Sequence, residues 1–153
     1  RPLWESTLRK TVEYLRREMR GADGGRWQSI TALPAFWTGL LYDEAALEMA
    51  WQLVKDWTDE EREALRQDVP KSGLRTKFRA INVGELSRES LRIARLGLKN
   101  RRRINAKNQD ETIYLAPLDV IAGNDATVAD QLIMRFSGPW GGNIDHIFEE
   151  FAF

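Results

Sequence analysis

A chain of 153 residues, 42% hydrophobic and 10% aromatic, is long enough to bury one core of its own and falls in the globular range. Its 23 basic and 23 acidic residues cancel, so no net field draws the whole chain toward nucleic acid or an anionic membrane. With no cysteine, disulfides, thiolate metal ligands and a cysteine nucleophile are excluded within it, and no apolar run approaches the roughly 20 residues that cross a bilayer. The amino terminus shows no signal-peptide pattern, and the expectation is a cytoplasmic protein without membrane or nucleic-acid partners.

Residues 1–17 set Leu3, Trp4, Leu8, Val12 and Leu15 at helical spacings, with Arg9, Lys10, Glu13, Arg16 and Arg17 on the other side, the pattern of an amphipathic helix. The stretch from Glu18 to Trp27 places two carboxylates, the Arg20 guanidinium and an indole around Gly21, Gly24 and Gly25. On an extended backbone Glu18 and Arg20 leave from one face, where an acid can hold a hard cation and a guanidinium can grip a phosphate or carboxylate oxygen. On a helix end the same two side chains diverge by about 200° and cannot share a ligand. The glycines allow turns with positive φ and close approach of backbone N–H groups to an anion. A glycine-rich connector with solvated Arg20 and Asp23 fits the same residues.

From Pro34 to Tyr42 the chain is nearly all apolar, with Pro34 suited to a first helical turn. Asp43 is placed to cap a helix carrying Leu47, Ala50, Trp51 and Val54 as its stripe and ending near Trp57. The tryptophans read as core. Thr58 with Glu61 forms a capping box for a further helix, expected to run to about Gln67 and to stop before Pro70. Residues 71–79 read as a loop in which Arg75, Lys77 and Arg79 alternate. If extended, they share one face as an anion clamp; otherwise they solvate or pair with acidic helices.

A helix from about Gly84 to Lys99 follows, with Leu86, Ser90, Leu91, Ala94 and Leu98 inward and Arg88, Glu89, Arg92 and Arg95 outward. The cluster Asn100-Arg101-Arg102-Arg103 complements its carboxyl-end dipole and lacks the interleaved aromatics of a nucleic-acid face. Asp110 caps a helix with Leu115, Leu118 and Ile121 inward, ended by Gly123-Asn124. Thr127 and Asp130 cap another that carries Leu132, Ile133 and Phe136 and ends at Gly138-Pro139. After a turn at Trp140-Gly141-Gly142, Ile144, Ile147, Phe148, Phe151 and Phe153 form an apolar tail expected to dock on the body. His146, the sole histidine, reads as a surface or satisfied core residue. The fold class is mainly α: a helical bundle, with at most one or two strands near residues 17–22.

Four blocks carry a resemblance. They are Met19-Arg20-Gly21-Ala22-Asp23-Gly24-Gly25 with Trp27; residues 32–43; Asp56-Trp57-Thr58 with Glu60-Glu61-Arg62 and residues 69–79; and Trp140 with residues 144–153. In this order they resemble the plant and proteobacterial type of glutamate-cysteine ligase, in register from about Glu18 to Phe153, while residues 1–17 match that family poorly. The resemblance implies the C-terminal helical part, residues 18–153, of a longer α+β enzyme of the glutamine synthetase-like superfamily. It also implies ATP and Mg²⁺, with L-glutamate and L-cysteine as substrates, and a missing N-terminal portion as partner. Carried over residue by residue, Glu18 is a metal ligand, and Arg20 is catalytic and a contact of phosphate or of the substrate carboxylate. Asp23 orients Arg20 or the substrate amine, and Trp27 walls the amino-acid pocket. Arg75 and Arg79 are ATP or phosphate contacts. The isolated chain is then expected to be inactive. A helical interaction module that keeps the scaffold without the chemistry remains the alternative.

Overall fold

The computed structural model describes residues 27–150. In chain order these form α1 (Trp27–Leu41), α2 (Glu44–Val54), α3 (Asp59–Ser72), a 3₁₀ turn (Gly73–Arg75), β1 (Lys77–Phe78), β2 (Ile81–Asn82) and α4 (Val83–Arg101). A second 3₁₀ segment (Glu111–Leu115) leads into α5 (Ala116–Gly123), followed by α6 (Val128–Ser137) and α7 (His146–Glu150). The described chain is mainly helical, as its periodicity predicts. The strands expected near residues 17–22 and the amphipathic stretch 1–17 lie outside the described residues. The strands that are described are β1 and β2, an antiparallel hairpin pairing Lys77 with Asn82 and Phe78 with Ile81, inside what the sequence reads as a loop. Among the described residues no helix is long and apolar enough to cross a membrane.

The helix starts follow the sequence closely. The Asp43 carboxylate accepts from the Ala46 N–H, Thr58 and Glu61 exchange both bonds of a capping box, and Thr127 and Asp130 do the same. Asn82 with Glu85 forms a third such box at the start of α4.

Two prolines depart from expectation. Pro34 lies inside α1, which begins seven residues earlier, and Pro70 lies inside the last turn of α3. Proline removes one hydrogen bond to the carbonyl four residues back and clashes there. Those carbonyls belong to Ile30 and Arg66, both exposed residues, so water can take their free lone pairs. For α1 the remaining cost is offset by burial of Leu40 and Leu41 against α4.

α4 is the central element. Leu91, Ile93, Ala94, Gly97 and Leu98 are all buried on it, and around it lie Leu40 and Leu41 from α1, Ala46 from α2, Leu115, and Ala122 from α5. The crossing of α1 and α4 has no room for a side chain at two places. A methyl group on Gly39 would stand 2.2 Å from the Ala94 carbonyl oxygen, and one on Gly97 would stand 1.9 Å from the Gly39 carbonyl oxygen and 3.0 Å from the Ala46 methyl. Backbone therefore meets backbone, and the two helices are set at a distance that only glycine at both positions permits.

The carboxyl-terminal segment is held differently from the expectation. Trp140 is buried, and its indole Nε1 donates to Glu150 Oε1 at 2.7 Å, while Arg135 pairs with the other oxygen of the same carboxylate. Ile144 and Phe148, expected to dock, remain 58% and 72% exposed. The indole and a charge-assisted bond do the anchoring, and these apolar side chains face outward. Phe151 and Phe153 lie outside the described residues.

Gly97→Ala is expected to destabilise the fold by about 2–3 kcal/mol, since the helices must separate along their whole contact. Gly123→Ala, where nothing lies within 4 Å of the added methyl, should be neutral or stabilise by about 0.5–1 kcal/mol through reduced backbone entropy. Urea unfolding of both variants checks the contrast.

Candidate functional site

Of the residues singled out for chemistry, Glu18, Arg20 and Asp23 lie outside the described residues. Trp27 is the first residue of α1, with its side chain outside the described set. Arg75 and Arg79 are described, and they do not share one face of an extended strand. Arg75 ends the 3₁₀ turn, while Arg79 occupies the corner between β1 and β2 with φ of 53°, the left-handed region that a non-glycine side chain rarely adopts.

Each guanidinium is bound to a carboxylate that also caps a helix. Arg79 donates from Nε to Glu61 Oε1 and from Nη2 to Glu61 Oε2, both at 2.6 Å, and from Nη2 to the Asp56 carbonyl at 2.7 Å. Glu61 simultaneously accepts the Thr58 N–H at 2.9 Å. The fork geometry matches that of a carboxylate, and the three bonds repay the left-handed backbone at the corner. Arg75 Nη2 donates to Asp130 Oδ1 at 3.0 Å, and the other Asp130 oxygen accepts from the Thr127 N–H and hydroxyl. Trp57 packs on Phe78 at 4.7 Å between ring centres, closing the hairpin onto the start of α3. Thr76, the buried polar residue of the region, donates its hydroxyl to the Gly73 carbonyl at 2.8 Å.

The electrostatics follow these bonds. Hydrogen bonds from Arg79 and from the Thr58 backbone hold the Glu61 carboxyl at about 2, below its ordinary 4.5. The Thr127 hydroxyl and N–H, with Arg75, hold Asp130 at about 2, below its ordinary 3.8. The Glu61 carboxylate in turn raises Arg79 above its ordinary value. The pairing that the sequence offers as the plainer account of residues 71–79 is thus what the geometry shows: the cations tie the hairpin to α3 and α6. Lys77 sits on β1 facing outward.

Elsewhere, Arg88, Arg92 and Arg95 line a shallow hollow with Asp119 beside α4. Arg88 pairs with Asp125 at 2.7 Å, Arg92 with Glu89 at 2.7 Å and Arg95 with Asp119 at 2.6 Å, which leaves no surplus positive charge for an anion. Arg101 donates to Glu111 at 2.9 Å, and Arg102 caps α4 in a left-handed conformation, in keeping with a helix carboxyl end. His146 lies 3.3 Å from Glu149, partly exposed, as a surface histidine would. Among the described residues no three histidine, cysteine or carboxylate side chains come together as a metal site. The sequence reading missed Glu61's second duty and the Asp56 carbonyl as partners of Arg79. The separation of 18 residues between Arg79 and Glu61 carries no local periodicity that could have shown it.

The described part is a helical segment organised around one central helix, with a basic hairpin tied down by acidic caps and no complete catalytic constellation among its described residues. Residues 4–150 match the family model of glutamate-cysteine ligase family 2, and the chain belongs to that family. The match starts upstream of Glu18, so residues 4–17 fall within it, although the motif blocks alone begin at about Glu18. Among similar proteins, the chloroplastic glutamate–cysteine ligase of Nicotiana tabacum is 38% identical over 154 residues, covering 98% of this chain and 28% of the relative. That of Solanum lycopersicum is 39% identical over 98% of this chain and 28% of its own length, and glutamate–cysteine ligase A, chloroplastic, of Oryza sativa subsp. indica is 38% identical over 98% and 30%. The chain therefore spans less than a third of the length of these relatives. Their names correct the expectation of a cytoplasmic protein: the relatives are chloroplastic enzymes, and an even charge balance without an apolar span says nothing of compartment.

A pH prediction follows from the depressed carboxyls. Because Glu61 binds its proton more weakly folded than unfolded, its contribution is fully present above about pH 4.5 and is lost as the pH falls through about 2. The melting temperature should fall across that window, and Glu61→Gln, lower at neutral pH, should show a flatter acid limb. Parallel limbs for the two proteins would mean that the Glu61 pairing does not contribute.

Proposed function

We propose that this chain is the carboxyl-terminal portion of a glutamate-cysteine ligase and works only together with the upstream portion. The observation that supports this most is the family match across residues 4–150, combined with coverage of only 28–30% of relatives named as that enzyme. In the proposed reaction the γ-carboxylate oxygen of glutamate bonds to the γ-phosphorus of ATP, releasing ADP. The cysteine amine then attacks the acyl carbon, and phosphate departs as the amine gives up a proton.

In this reading Arg20 holds the phosphate or the glutamate carboxylate with its planar fork, Asp23 orients Arg20 or the amine, and Trp27 walls the amino-acid pocket. Glu18 supplies one oxygen to Mg²⁺. One carboxylate falls short of the several oxygens that ion takes, and among the described residues no cluster adds to it. Arg75 is the better phosphate contact of the hairpin pair, because it gives up a single bond to Asp130, whereas Arg79 is committed to three. The neutralisation of both by carboxylates is what favours the second reading, a helical module that retains the scaffold without chemistry.

The test is reconstitution. Joined to a matching upstream portion, the chain should form γ-glutamylcysteine from glutamate, cysteine and ATP, and alone it should form none. Within the joined protein Arg20→Ala should lower turnover by at least about 100-fold, the scale for removing a donor that stabilises developing charge, while Arg102→Ala should leave it within about twofold. Equal losses would remove the special role of Arg20, and absence of product from a folded, joined protein would favour the structural module.

A further inference from the structure

Among the arginines that pair across elements, Arg75 is held most loosely. Its bond to Asp130 is 3.0 Å long and its side chain is 59% exposed. Arg79, Arg88, Arg95 and Arg101 hold their carboxylates at 2.6–2.9 Å with side chains 26–44% exposed. The number of bonds differs in the same direction. Arg79 makes three and Arg95 reaches both oxygens of Asp119, whereas Arg75 donates a single bond to one oxygen. Most of its planar fork is therefore unused, and a phosphate offers that fork two oxygens at once.

Asp130 is built to lose this partner. Its other oxygen accepts from the Thr127 N–H at 2.8 Å and from the Thr127 hydroxyl at 2.7 Å, and the Asp130 N–H donates to the Thr127 hydroxyl oxygen at 3.1 Å. These bonds form the capping box of α6 and do not involve Arg75. The Asp130 side chain is 22% exposed, so water reaches the oxygen that Arg75 vacates and no unpaired buried charge is left behind. The backbone beneath Arg75 is fixed. Thr76 is buried, its N–H and hydroxyl both donate to the Gly73 carbonyl, and its own carbonyl accepts from the Val83 N–H at 2.9 Å. Only the Arg75 side chain has to move.

We propose that Asp130 is a built-in competitor that holds Arg75 in reserve, and that a phosphate group of a nucleotide takes Arg75 from it. This rests on the reading of the chain as part of an ATP-using ligase and adds to it a regulation of the hairpin. Arg79 anchors the hairpin to α3, and Arg75 is its exchangeable arm. Asp130 touches no substrate in this account and acts through Arg75 as a positioning residue. Exchange also cuts the tie between the hairpin and α6, so nucleotide occupancy loosens α6 from the hairpin while its cap stays intact.

Calorimetric titration of the joined protein with magnesium ATP, and with adenosine as a phosphate-free probe, tests this. Asp130→Asn keeps an oxygen for the cap and removes the competing charge, and it should lower the Kd for ATP by about two- to fivefold, the scale of one exposed ion pair. Arg75→Met should raise that Kd at least about tenfold, the scale of a hydrogen bond to a charged group, and should abolish the effect of Asp130→Asn when the two are combined. Adenosine should bind all four proteins alike. An unchanged ATP affinity in Asp130→Asn, a gain that survives in the Arg75→Met background, an equal change for adenosine, or no ATP binding by the joined protein would overturn the proposal. Should Asp130→Asn fail to fold, an Arg75→Met protein with the parent Kd would overturn it alone. Product formation is read separately: the predicted Kd pattern without γ-glutamylcysteine sinks the ligase reading and keeps the exchange, and product with unaltered Kd values does the reverse.

Discussion

The packing of α4 against α1 through Gly39 and Gly97 is the constraint from which the rest of the described structure follows. With carbonyl groups where methyls would sit, the two helix backbones come into direct contact, and Ala46 and Ala94, both fully buried, extend the same small-residue seam toward α2. A seam of this kind leaves α4 enclosed, and its middle turns carry buried side chains on more than the narrow stripe a surface helix would show. The larger side chains, Leu40, Leu41, Leu98 and Leu115, then fill the space to either side of the contact.

Polar groups finish what this packing begins. The hairpin of β1 and β2 has too few residues to hold itself by its ladder and is secured by Arg79 to the capping carboxylate of α3 and by Arg75 to that of α6. Using one carboxylate both as a cap and as an ion-pair partner satisfies several donors with a single charge and draws two elements distant in sequence toward one hairpin. These arginines therefore have a structural role, and any phosphate contact by them in a complete ligase would compete with it. Arg20 and Glu18, which the family resemblance implicates more directly, lie outside the described residues.

Local signals in the sequence were sufficient where the physics is local. Asp43, Thr58 with Glu61, and Thr127 with Asp130 start their helices as read, because a side-chain oxygen bonding an N–H three residues on needs nothing from the rest of the fold. Pro34 and Pro70 misled the boundaries, since the penalty of a proline depends on whether its orphaned carbonyl reaches water and on how much the flanking turns bury. The hairpin was hidden for a related reason: four strand residues carry no period, and the bonds that hold it come from Glu61 and Asp130, 18 and 55 residues away. Ile93 and Gly97 lie outside the single inward stripe that the periodicity marks, because the helix is covered on several sides. As for the candidate site, the family blocks point to residues 18–27 by wording alone, and spacing arguments by themselves left a glycine-rich connector equally open.

The most direct measurement of the central claim is native-state hydrogen exchange on the intact chain. If the glycine-mediated contact organises the fold, the backbone amides of α1 around Gly39 and of α4 from Ile93 to Leu98 exchange slowest and only through global unfolding, while those of α6 and α7 open at lower free energy. Exchange at the α1–α4 crossing as fast as in α6 would contradict the account.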